Sequence, residues 1–412
     1  MAVVKPFICI RPAKENASKV AALPYDVYNR KEACAAVAGN PISFLNIDRA
    51  ETQFSDDVDT YADCVYEKAR ELLDTQIAEG VYVTDAGEHY YLYELTMDGR
   101  SQTGIVACSS IDDYVNGVIK KHENTREDKE LDRIRHVDTV NAQTGPIFLA
   151  YRQNETLKAI VAEEKEKRLF TILYQMMASV TEYGRSKIRL RLKPLQKAFA
   201  AIPATYIADG HHRAASAVKV GLKRRAENTG YTGEEPFNYF LSVLFPDEEL
   251  MILPYNRVVK DLNGMSKAQF FDAVKEKFEL EEMGKEPYAP AEKGTFGMYL
   301  DNTWYVLKVL PPYRSSDPVK GLDVSILQDQ LLAPVLGIGD PRTDKRIDFI
   351  GGIRGLKELE RRVSEDMEIA FSMYPTSIEE LLAVADAGLL MPPKSTWFEP
   401  KLRSGLFIHR LS

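Results

Sequence analysis

The 412-residue chain is 45% hydrophobic and carries 61 Asp and Glu against 53 Lys and Arg, a net charge of −8. This composition excludes a disordered chain, leaves room for two or more cores, and speaks against a protein whose main work is neutralising nucleic-acid phosphates. Cys9, Cys34, Cys64 and Cys108 are scattered without Cys-x-x-Cys spacing, so reduced thiols are expected, with neither a disulfide framework nor a zinc site. No apolar run approaches the ~20 residues of a membrane span, and Met1-Ala2-Val3-Val4 lacks a signal-peptide core. A cytoplasmic protein with a small-molecule partner, no nucleic acid and no membrane is expected, and the oligomeric state stays open.

In chain order, 7–10 reads as a first strand, and Pro24 then places Tyr25 and Asp26 on a loop. Asp26 either caps a helix starting near Arg30 or belongs to a site. Residues 43–47 read as a second strand, 61–80 as a long amphipathic helix ended by Gly80, and 90–96 with 104–108 as a hairpin around Asp98-Gly99. Thr125 with Asp128 resembles a capping box and starts a helix on which Arg126, Lys129, Arg133 and His136 share one face. That cationic stripe is either a solvated surface laced with ion pairs or, with His122-Glu123 at its entrance, a substrate-binding face. His122-Glu123 is no zinc-protease motif, because Arg126 stands where a second His is required. A strand at 147–151, a helix at 157–168, a half-buried basic strand at 185–193 and a short helix at 194–201 follow.

The most informative stretch is Tyr206-Ile207-Ala208-Asp209-Gly210-His211-His212-Arg213-Ala214-Ala215. A buried strand ends at Asp209 and an alanine-rich helix follows, so the chain turns at Gly210 and leaves the first helical N–H groups without partners. Such an end binds anions, and Arg213 in its first turn is poorly placed for the helix dipole but well suited to grip a phosphate bidentately. The plainer alternative makes Asp209 an N-cap and His211 and His212 satisfied histidines. Beyond it come strands at 237–245 and 251–259, a helix at 266–278, a hairpin at 295–300 and 303–310, and a helix at 324–336. Asp348-Phe349-Ile350-Gly351-Gly352-Ile353-Arg354-Gly355 reads as strand, glycine turn and helix, yet is neither a Walker A loop nor a dinucleotide fingerprint. The proline-bound segment 391–401 gathers Lys394, Ser395, Thr396 and Trp397, a composition for a loop closing over an anionic or planar ligand or for an ordered surface loop.

Ala22-Leu23-Pro24-Tyr25-Asp26-Val27, Lys121-His122-Glu123-Asn124-Thr125-Arg126, Gly145-Pro146-Ile147-Phe148, Tyr206 to Arg213, and Pro392 to Phe398 together resemble, in order and almost end to end, the bacterial family known only as domain of unknown function 1015. Asp209-Gly210-His211-His212-Arg213 is also distantly similar to the helix-start motif of the ParB, sulfiredoxin and free-serine-kinase superfamily, whose serine kinases carry Asp-Gly-His-Thr-Arg there. His212 replaces that Thr, no single upstream Glu stands out as the kinase base, and no Cys stands in the motif for sulfiredoxin chemistry. Family members often stand beside serine-biosynthesis genes, which implies serine or phosphoserine as the second ligand.

The resemblance implies an α+β protein of mixed sheets with a ParB/sulfiredoxin-like nucleotide-binding core over 1–250 and a C-terminal α/β portion over 251–412. Hairpin-like strand pairs speak against a doubly wound sheet. Phosphoryl transfer is implied, with ATP or ADP and Mg²⁺ as cofactors: Gly210 and Arg213 hold the phosphate, and His211 holds a non-bridging oxygen. Asp209 acts as base or metal ligand, and Asp26 and Glu123 are the other candidate bases. His212 acts as acid or nucleophile, and His122, Arg126, Arg133, Lys394, Ser395 and Thr396 bind substrate. The alternative is a nucleotide-binding regulator that breaks no bond.

Overall fold

The computed structural model describes residues 1–166, 170–174, 179–184 and 192–412, and it is α+β with mixed sheets. The chain divides into two units, Met1–Leu250 with Pro400–Ser412, and Met251–Glu399. The last residues, expected in the C-terminal portion, thus belong to the first unit, where Ser404 bridges to Ala22, Ile408 to Ile10, and His409-Arg410 pairs with Ala142-Gln143.

Among the described residues the first unit is built on a nine-stranded sheet. Its antiparallel half is seeded by the Tyr91–Met97 and Arg100–Ser110 hairpin, whose turn residues Asp98 and Gly99 both take positive φ, 52° and 78°, as a two-residue hairpin turn requires. The other half carries the motif. Thr205–Asp209 lies between Ile119–Lys120, which it pairs in parallel, and Ile147–Tyr151, which it pairs antiparallel with a register shift between Ile207 and Asp209. Tyr239–Pro246 joins the halves, parallel to Ile147–Tyr151 and antiparallel to Arg100–Ser110. The helix His211–Glu227 packs its buried face, Ala214, Ala217 and Val218, onto this sheet with Ile207, Leu149 and Leu244, and the helix Glu127–Val140 packs beside it.

A second cluster of the first unit gathers the helices Arg30–Val37 and Asp63–Ala78 around Phe44, Leu45 and Ile47. The stretch expected as a strand at 43–47 is instead the short helix Leu45–Asp48, buried on every side. Five residues that mix apolar Phe44, Leu45 and Ile47 with polar Ser43 and Asn46 are too few to fix a period, so the surrounding cluster decides their conformation. Two capping expectations also change. Asn29, not Asp26, caps Arg30–Val37 through a capping box with Glu32. Thr125 does not cap Glu127–Val140; its hydroxyl donates to the Glu130 carboxylate at 2.7 Å. The basic strand expected at 185–193 falls, over 185–191, outside the described residues.

The second unit has a six-stranded sheet whose described neighbours all pair antiparallel, in the order Phe278–Gly284, Thr303–Val309, Thr295–Leu300, Ile369–Met373, Tyr255–Val259 and Ile347–Gly351. Leu359 of the helix Leu356–Glu365 covers Val258, Trp304 and Ile350 on one face. The helix expected at 324–336 runs as an α-helix over Asp323–Leu327 that continues directly into a π-helical turn over Gln328–Leu332.

Candidate functional site

The helix at His211 starts from Gly210, which has φ 92° and ψ 35° and offers no side-chain cap. An L side chain resists that conformation, and a Cβ here would lie 3.0 Å from Arg213 Nε, so glycine serves both the turn and the guanidinium folded back over it. Gly210→Ala is expected to cost about 1–2 kcal/mol of stability and to push Arg213 out of place; denaturant unfolding measures the loss, and an unchanged midpoint would contradict the reading.

Arg213 donates through Nη1 to the Pro146 carbonyl at 2.7 Å and reaches Asp209 Oδ2 through Nη2 at 3.3 Å. Lys401 Nζ lies 3.7 Å from the same carboxylate oxygen. Burial works against the Asp209 charge, but Lys401, Arg213 and the Gly210 N–H outweigh it and hold the carboxyl below its usual range. The helix start is therefore framed by two cations sharing one carboxylate. A phosphate placed here would compete with Asp209 for both cations and face the N–H groups of a helix start that has no side-chain cap.

His122 and His211 form an edge-to-face pair with ring centroids 4.6 Å apart, both buried. His211 Nε2 accepts from the His122 backbone N–H at 3.5 Å, which leaves its proton on Nδ1, 3.8 Å from Glu123 Oε2. Burial, reinforced by His122, keeps His211 neutral far below the ordinary histidine value, and burial lowers His122 to about 4 against the pull of Asp209. His212 Nε2 accepts from the Arg126 N–H at 3.0 Å, so the lone pair a nucleophile would use ties the neighbouring loop to the helix start. Burial lowers the His212 pKa, countered first by Asp26, whose charge reaches the ring.

A hollow of about 30 Å³ lies beside Arg213, lined by Tyr25, Asp48, Arg133, His136, Gly145 and Ser404. The Arg133 guanidinium lies under the Tyr25 ring, 4.0 Å from its centroid. No three metal-ligating His, Cys, Asp or Glu side chains converge among the described residues. A Mg²⁺ here would take one protein carboxylate, Asp209, and fill its shell from phosphates and water, which suits Mg²⁺ in nucleotide sites.

A family model described as protein of unknown function (DUF1015) matches residues 4–325, most of the chain. The chain belongs to the DUF1015 family. Solved structures similar to this DUF1015 protein include a free serine kinase mutant in complex with AMP, at 14% identity over 72% of this chain and 87% of that chain with a TM-score of 0.36. Another is SbnI with a C-terminal truncation from Staphylococcus aureus, at 11% identity over 71% and 82% of the two chains with a TM-score of 0.36. A third is a conserved hypothetical protein from Pyrococcus furiosus, at 15% identity over 73% and 93% with a TM-score of 0.34. No curated protein matches.

The DUF1015 fold thus brings Asp209, Gly210, His211, His212, Arg213, His122 and Glu123 to one helix start, with Asp26 and Arg133 adjoining. The expected cationic stripe divides: Arg133 is buried against Asp132, whereas Arg126 is exposed and pairs with Asp128 at 2.9 Å. Lys394, Ser395 and Thr396 belong to the second unit. There Ser395 donates to the Pro392 carbonyl at 2.6 Å, Thr376 donates to the Ser395 carbonyl at 2.9 Å, and Lys394, at φ 59°, lies over the Tyr255 ring. Lys401 is the last residue of the 391–401 segment whose composition suits a loop over an anionic ligand, whereas Asp48 and Ser404 lie far from the motif in sequence and no local pattern marks them. No helix among the described residues is long and apolar enough to cross a membrane.

Proposed function

We propose that this protein is a phosphoryl-transfer enzyme acting on a small hydroxy amino acid, serine or phosphoserine, with a nucleotide phosphate at the His211–Glu227 helix start. The observation that carries the reading is the arrangement at Gly210: a left-handed glycine, open helical N–H groups, and Arg213 and Lys401 converging on Asp209. The Asp-Gly-His-His-Arg likeness to free-serine kinases supports the same chemistry. Phosphoryl transfer needs charge neutralisation and alignment more than covalent help, and this site offers two cations and a row of amide donors. Mg²⁺, when bound, would supply further neutralisation of the transferring phosphate.

Asp209 loses its cationic partners to the phosphate and becomes the carboxylate free to bind metal or accept the substrate's hydroxyl proton. Glu123, half-exposed beside His211, is the second candidate base. His211 has both ring nitrogens turned toward protein groups, so its part is to position Glu123 and not to hold a phosphate oxygen. His212 likewise ties the Arg126 loop to the helix. Phosphorus NMR time courses with Mg²⁺ test the proposal, in separate tubes of serine plus ATP, serine plus ADP, and phosphoserine alone. A phosphoserine signal that appears or vanishes identifies the reaction by the tube in which it does so. Nucleotide signals that shift on adding protein while every tube stays unchanged would instead make the protein a nucleotide-binding regulator.

A further inference from the structure

A second hollow of about 360 Å³ adjoins the small one, and Tyr25, Asp48, Arg133 and His136 line both. Most charges around it are already answered. Arg49 pairs with Glu51 at 2.5 Å, Arg30 donates to the Val58 and Ser55 carbonyls, and Asp132 accepts from Tyr66 and Arg133. Two side chains of opposite charge keep one atom each without a hydrogen bond among the described residues. Asp48 is 5% exposed, and among the described residues its carboxylate has a single hydrogen bond, from the Thr144 hydroxyl to Oδ1 at 3.1 Å, and no ion pair. Arg133 is 7% exposed and engages Asp132 through Nε and Nη2, which leaves Nη1 without a bond among the described residues.

Asp48 Oδ2 and Arg133 Nη1 open on the hollows with bonding capacity to spare, and a carboxylate oxygen there suits a cation as a guanidinium edge suits an anion. Both face the same space, so a ligand carrying one charge of each sign on adjacent atoms satisfies them together. We propose that Asp48 Oδ2 and Arg133 Nη1 form a subsite for the α-ammonium and α-carboxylate of a free amino acid, with the Tyr25 ring as its roof. The inference rests on the phosphoryl-transfer reading only for what happens next to the side chain. The small hollow, with room for about two waters, runs from this pair to Gly145 and Arg213. It admits a hydroxymethyl arm and excludes a bulky one. The neutral His136, whose Nε2 bonds the Ile47 carbonyl at 3.1 Å, adds no competing charge.

Calorimetric titration of the full chain, with and without ADP, tests the subsite using L-serine, ethanolamine, which lacks the carboxylate, and 3-hydroxypropanoate, which lacks the ammonium. Serine is expected to bind at least about tenfold more tightly than either analogue, because each lost charged hydrogen bond leaves a buried group unmet. Asp48→Asn is expected to weaken serine at least about tenfold while leaving 3-hydroxypropanoate unchanged, a pattern that general loss of folding cannot produce. Equal binding of serine and either analogue, or binding of none of the three, overturns the proposal, and the ligand series on the unaltered protein decides this even if Asp48→Asn fails to fold. The two readings fail separately. Serine bound but never phosphorylated removes the enzyme and keeps the subsite, whereas equal phosphorylation of 3-hydroxypropanoate removes the subsite and keeps the enzyme.

Discussion

Arg213→Ala is expected to lower phosphoryl transfer by a factor of about a hundred or more, while leaving the fold intact. Arg213 is the group that lies over the Gly210 turn, bonds the Pro146 carbonyl and shares Asp209 with Lys401. Its planar fork can meet two phosphate oxygens at once, which no other side chain at the helix start can do. The same phosphorus NMR time courses, run beside thermal melting, check the expectation. Arg213→Lys separates charge from geometry: it keeps the cation, loses the fork, and is expected to fall between the two. A variant that lost transfer only in proportion to lost folded protein would reduce Arg213 to a structural latch on the Pro146 loop. Lys401→Ala should weaken the site less, since an ammonium lacks the fork that meets two phosphate oxygens at once.

Acid should destabilise this protein well above the carboxylate range. Burial holds His122 and His409 at about 4, and lowers His211 and His136 as well. All four stay neutral in the native chain where an unfolded histidine takes up a proton, near pH 6.5. A native pKa below the unfolded one means the unfolded state binds more protons as pH falls, so the stability is fully present above about pH 6.5 and drains away toward pH 4. By pH 5 the loss is about 2 kcal/mol each for His122 and His409, against a total of about 5–15 kcal/mol for an ordinary domain. Calorimetric melting between pH 7.5 and 5 should show a steep fall with protons taken up on unfolding. A flat profile would mean that these rings reach solvent in the folded protein. Asp209 acts in the same direction at lower pH: its depressed pKa supplies stability above the usual carboxylate value that disappears as pH falls through its native one.

The features legible in the chain are those that one or two residues determine locally. Gly210 announces the turn because its left-handed φ suits a residue with no Cβ, and the alanine run after it forms a helix with one buried face. Asp98-Gly99 announces its hairpin for the same steric reason. The helix Asp63–Ala78 follows from its own periodicity, and Gly80 at φ 77° follows just beyond its end. From these alone the helix start at Gly210, its arginine and the α+β class can be inferred.

Tertiary structure decided the rest, because it depends on which distant groups share one space. Residues 45–47, read as part of a strand, became part of a helix since the stretch is too short to fix a period and is buried all round. Arg133 and Arg126 share a spacing, yet one is buried against Asp132 and the other is exposed, a difference that belongs to the neighbouring elements. Lys401 reaches Asp209 only because the chain's last segment returns to the first unit. Asp48 comes to share two hollows with Arg133 only through the packing of distant elements. Local sterics act within a few residues and can be read from the sequence, whereas desolvation and charge pairing act through space and exist only once the chain has folded.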